Sequence, residues 1–137
     1  MVQQTRKQTD TIIQLGTEAE LWHTIEGRPF ATIEVAATHQ NLEVESDAFR
    51  KWLARRFWEE KGTAASEDAL KRLVEVLAGI SVYQGTQHEV FIRVARHDDG
   101  IYLDLGCPEW HVIEITPEGW GLTLDPPVRF YRSPGLG

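Results

Sequence analysis

Apolar residues recur along this chain with two different periods, helical in the first half and alternating in the second. Between residues 9 and 22, Ile12, Leu15, Ala19 and Trp22 stand at helical spacing, which predicts an amphipathic N-terminal helix. Gly16 interrupts that stretch. Because Thr17 and Glu20 have capping-box spacing, the helix either continues to Trp22 or breaks at Gly16 and restarts at Thr17. Residues 1–7 are expected to be a frayed end. Residues 30–35 and 42–45 alternate apolar and polar side chains around Thr38-His39-Gln40-Asn41, the pattern of a β-hairpin with those four residues as its turn.

Ser46 then predicts the N-cap of a helix that runs to about Lys61 and stops at Gly62, with Phe49, Trp52, Leu53 and Phe57 as its apolar arc. Ser66, followed by Glu67 and Asp68 in a first turn that favours acidic side chains, opens another helix. Leu70, Leu73, Val74 and Leu77 form its stripe, and Gly79 marks its end. Beyond it the period becomes two. Val90, Ile92 and Val94 alternate up to Asp98-Asp99-Gly100, and Ile101, Leu103 and Leu105 alternate after it, so the Asp-Gly pair marks a tight hairpin. Residues 112–115 and 120–124 flank the turn Thr116-Pro117-Glu118-Gly119, and residues 128–131 form a last extended run after Asp125-Pro126-Pro127.

The elements sum to an α+β fold: an antiparallel sheet of about five to seven strands, largely from the second half, packed against the two central helices, plus the N-terminal helix. With 137 residues, residues 1–132 are read as a single domain and residues 133–137 as a tail or the start of a linker. No apolar run reaches the ~20 residues of a membrane span, and the N-terminus is polar, so a cytoplasmic protein without membrane contact is expected. The single cysteine, Cys107, excludes an internal disulfide. A net charge of −7 disfavours indiscriminate attraction to phosphates, so contact with nucleic acid requires a local basic patch.

Few residues have the spacing of catalytic chemistry. The five histidines include no i, i+4 pair and no cysteine partners, which is not the pattern of a zinc site. No glycine-rich Gly-Lys-Ser/Thr loop is present to cradle a triphosphate. Asp104 and Glu114, on successive predicted strands, have the placement of the acidic pair of a metal-dependent nuclease, but Thr116 stands where such a site wants a lysine. Two aspartates one residue apart, as a primase-type polymerase requires, are absent, since Leu105 and Gly106 follow Asp104. No catalytic residue, metal or cofactor is therefore assigned. On the helix of residues 46–61, by contrast, a wheel of about 3.6 residues per turn puts Trp58 opposite Phe49, bordered by Arg50, Lys51, Ala54, Arg55 and Lys61. Cations that neutralise phosphates beside an indole that can stack on a base make a single-strand contact face. Arg56 and Glu60, inside the apolar arc, are expected to form a partly buried ion pair.

Several strings, namely Ala19-Glu20-Leu21-Trp22-His23-Thr24, Phe30-Ala31-Thr32, Phe49-Arg50-Lys51-Trp52-Leu53-Ala54-Arg55-Arg56-Phe57, Ile101-Tyr102-Leu103-Asp104-Leu105-Gly106, Val112-Ile113-Glu114-Ile115 and Pro126-Pro127-Val128-Arg129-Phe130, carry a resemblance. In that order they resemble the accessory segment upstream of the P-loop ATPase module in bacterial phage- and plasmid-type primase-helicase proteins, a match running from about Glu18 to Arg132. Cys107 and His111 depart from that pattern, standing in place of an acidic and a basic residue. The resemblance implies a non-catalytic module of a mobile-element replication ATPase. Its implied partners are DNA, single-stranded or at a primer-template, and a P-loop ATPase or helicase module in cis or in trans. Arg50, Lys51, Arg55, Trp58, Lys61 and Arg129 are the expected contacts. The alternatives are a stand-alone interaction or inhibitory domain that uses its acidic surface, and a metal-dependent nuclease using Asp104 and Glu114.

Overall fold

The computed structural model describes residues 2–132, so the expected tail at residues 133–137 lies outside the described residues. The class is α+β, with sheet against helices and an N-terminal helix, as expected. Among the described residues the strands are divided among three sheets, and the chain forms two compact units. The first comprises residues 2–32 and 42–87, and the second residues 33–41 and 88–132.

The first unit holds helices α1 (Val2–Gly16), α2 (Asp47–Lys61) and α3 (Glu67–Tyr83) and strands β1 (Glu20–His23) and β4 (Thr86–Gln87). Strand β2 (Pro29–Val35) begins in it and β3 (Thr38–Glu43) ends in it, and the sheet order is β3-β2-β1-β4. Helix α1 starts earlier than the apolar period suggested, so residues 2–7 are helical rather than frayed, and it neither passes Gly16 nor restarts. Thr17 closes it, donating its hydroxyl to Gln14 O at 2.8 Å. Residues 20–23 instead zip antiparallel onto β2, with Trp22 opposite Phe30, and the two rings stack at 4.7 Å. Trp22 is fully buried in that pairing, and burial of the indole against a strand outweighs the helical spacing that linked it to Ile12. A Cβ on Gly16 would sit 2.5 Å from Leu77 Cδ1, so its lack of a side chain lets α1 close on α3.

Helices α2 and α3 begin where their serines predicted. Ser46 Oγ accepts from Phe49 N and Ser66 Oγ from Ala69 N, both at 3.2 Å, and Gly62 ends α2 in the left-handed region at φ 72°. Helix α3 runs four residues past the expected stop at Gly79, because Ser81 is buried and ties the last turn down. Its hydroxyl bonds Leu77 O at 2.9 Å, and His23 Nδ1 lies 2.9 Å from Ser81 O. The β2–β3 turn falls on Ala36 and Ala37, at φ 49° and 68°, not on the four polar residues that follow, which belong to β3. Two successive positive φ values define a tight primed hairpin turn, a conformation for which Ala-Ala carries no sequence signal.

In the second unit, β5 (Val90–Phe91) pairs parallel with β10 (Arg129–Phe130). Strands β6 (Val94–His97), β7 (Gly100–Asp104), β8 (Val112–Thr116) and β9 (Gly119–Thr123) form an antiparallel meander in that order. Both its expected turns, at Asp98-Asp99 and Pro117-Glu118, are observed. The core is Ala95, Tyr102, Val112, Val128 and Phe130 with Phe91 packed against it, whereas Ile92, Val94 and Leu105 are exposed. Arg93 at φ 69° breaks residues 90–94 into two strands and resets the alternation.

Candidate nucleic-acid interface

Helix α2 buries Phe49, Leu53 and Phe57, which turns the opposite side outward. There Trp58 is 58% exposed, with Lys51, Arg55 and Lys61 exposed around it. The expected face is thus assembled on one helix, but most of its cations have partners. Asp47 bonds both Arg50 and Lys51, the latter at 3.0 Å, and these two contacts hold its carboxyl below the usual range. Arg55 lies 3.8 Å from Glu59. Among the described residues Lys61 has no carboxylate within ion-pair distance. Exposed pairs of this kind are screened by water and contribute little, so exchanging Asp47 or Glu59 for a phosphate oxygen costs little.

Arg50 is the weakest member of the set. It lines a cleft of about 540 Å³ with Lys71 and four carboxylates, Glu45, Asp47, Glu67 and Glu75, whose excess negative charge disfavours phosphate. Arg56 and Glu60 do not pair as expected. Arg56 instead makes a forked contact with Glu18, Nη2 to Oε2 at 2.9 Å and Nε to Oε2 at 3.1 Å, and reaches Glu59 at 3.3 Å. The Glu18 contact raises the guanidinium pKa further. A partner 38 residues upstream is outside what helical spacing can reveal.

The other singled-out residues belong to the second unit. Arg129, on β10, is half-buried and lines a cleft of about 200 Å³ with His88, Arg96 and His97. Asp104 is held by Arg132 through two bonds, Nη2 to Oδ1 at 2.6 Å and Nε to Oδ2 at 3.0 Å, and its side chain is only 4% exposed. The same guanidinium stacks 4.1 Å above Trp110 and donates to Cys107 O, which fastens the loop of residues 105–111. Glu114 accepts from the Tyr102 hydroxyl at 3.0 Å. Both members of the acidic pair are therefore engaged by protein groups. The Arg132 contact was not legible in the sequence, since 28 residues separate it from Asp104. Trp120 and the exposed apolar side chains of the β6–β9 sheet were missed too, because alternation names two faces without saying which is covered.

Among the described residues no helix is long and apolar enough to cross a membrane. No family model, curated protein or solved structure matches the chain. What the fold and geometry define is an α+β protein with a cationic, indole-bearing helix on its surface.

Proposed function

We propose that the protein is a non-catalytic nucleic-acid-contacting module, with Lys51, Arg55, Trp58 and Lys61 of α2 as its contact face and single-stranded DNA as its ligand. The observation that carries this reading is the 58% exposure of Trp58 in the middle of a cationic helix face, on a chain whose net charge is −7. An indole left in water beside lysines and an arginine is suited to stack on an unpaired base, worth about 1–3 kcal/mol, while the cations take the backbone. The resemblance to the segment upstream of phage- and plasmid-type replication ATPases supplies the context, an accessory role beside a P-loop ATPase. Engagement of Asp104 by Arg132 and of Glu114 by Tyr102 favours this reading over a nuclease.

The test is a titration of a labelled single-stranded oligonucleotide at low salt, with quenching of tryptophan emission as a second signal. Trp58→Ala and the pair Lys51→Glu, Arg55→Glu should each weaken binding by about tenfold or more, since 1.4 kcal/mol is a factor of ten. Wild-type protein that does not bind, or a double variant that binds as well as wild type, removes the proposal.

A further inference from the structure

The outward face of the β6–β9 sheet is built from two cross-strand rows. Val94, Leu103, Ile113 and Leu122 stand abreast in one, and Arg96, Ile101, Ile115 and Trp120 in the other. No carboxylate interrupts either row. Both ends of the rows are open and the middle is covered: Val94 is 55% exposed, Leu103 and Ile113 are half-buried, and Leu122 is 61% and Trp120 76% exposed. Among the described residues no strand pairs with the outer side of β9.

The two edges of this sheet differ. Strand β6 carries Arg96 and His97 and is entered through Arg93 at positive φ, features that discourage another strand from adding on. Strand β9 reads Gly119-Trp120-Gly121-Leu122-Thr123, with neither a charge nor a proline to block pairing.

From this uncharged edge and the exposed apolar side chains beside it we infer that β9 is a self-association strand, pairing antiparallel with β9 of a second copy across a two-fold axis at Gly121. In that register Trp120 of one copy stands opposite Leu122 of the other, and Gly119 opposite Thr123, so the contact is self-complementary. Each apolar row then continues into its counterpart and the two sheets become one of eight strands. A chain of net charge −7 repels its own copy, and within Gly119–Thr123 no carboxylate opposes another, so that repulsion is confined to Glu118 and Asp125 at the two ends of the strip. The exposed Trp120, Leu122, Leu124 and Ile115 offer on the order of 400 Å² a side, below the ~800 Å² of a standard interface, so the dimer is weak and concentration-dependent. The inference is independent of the α2 contact with DNA.

Sedimentation equilibrium on the full chain from about 10 µM to about 1 mM, the range of a weak complex, tests it. The average mass should rise toward twice the monomer value, more readily at higher salt, where repulsion is screened. Leu122→Lys should weaken association at least tenfold. Val94→Lys, at the far end of the same row, should leave it within twofold, whereas packing of one sheet face on another would make both changes disruptive. In wild-type protein, hydrogen exchange of amides on the open side of β9 should slow as concentration rises. A mass that stays monomeric throughout, a Val94→Lys effect equal to that of Leu122→Lys, or β9 exchange that ignores concentration overturns the inference.

Discussion

Asp104 and Arg132 illustrate how much a single pair decides in this molecule. The carboxylate is nearly buried, and its two bonds to Arg132 are what satisfy its oxygens there. Arg132→Ala should cost about 3 kcal/mol, because it strands a buried charge, and Asp104→Asn in the same chain should restore part of that loss. Urea unfolding followed by tryptophan emission measures both, since Trp110 lies directly under the guanidinium. Tyr102 sets a second, pH-dependent condition. Burial, and then its bond to Glu114, raise the phenol above its ordinary value of 10.0. The folded state therefore holds the proton more tightly than the unfolded chain. That contribution is fully present below pH 10 and is lost as pH rises through the folded pKa. The urea midpoint of the wild type should therefore fall as pH rises above about 10, and Tyr102→Phe, with no proton to lose, should flatten that part of the profile.

Elements show where local signals were enough. The serine caps and the Gly62 stop were legible because each is satisfied within one helical turn, as were the turns at Asp98-Asp99 and Pro117-Glu118. Gly79 was misleading for the same reason, since a glycine is a stop only where the chain has nothing to gain by continuing. It lies inside α3, and a Cβ there would meet nothing within 4 Å, so Gly79→Ala should stabilise the protein by about 0.5–1 kcal/mol. Gly85, just beyond the helix, is the opposite case. Its Cβ would fall 2.5 Å from both Leu21 O and Ser81 O, backbone atoms that cannot turn aside. Gly85→Ala should cost about 2 kcal/mol or more, and thermal unfolding of the two variants compares them directly. The hairpin turn at Ala36-Ala37 holds two non-glycine residues at positive φ, at about 1–2 kcal/mol each. Ala37→Gly should therefore raise the melting temperature by several degrees.

For the whole molecule, charge and its placement set the behaviour. On the proposal that the α2 face is the contact surface, a chain of net charge −7 neutralises few phosphates. If three cations make contact, the slope of log affinity against log salt should be about −2 on a single strand, and binding measured from about 50 mM to about 200 mM salt should fall accordingly. A slope several times steeper would mean that other basic residues take part. The sequence by itself determined the α+β class, both serine-capped helices, the meander turns and the amphipathic face of α2, because each depends on residues within a few positions of one another. Only the tertiary structure decided that residues 20–23 are a strand, that Arg56 belongs to Glu18 and Arg132 to Asp104, and which side of the β6–β9 sheet faces water. Those outcomes depend on which surfaces, distant in the chain, compete to cover the same apolar and charged groups, and periodicity along a chain carries no record of that competition.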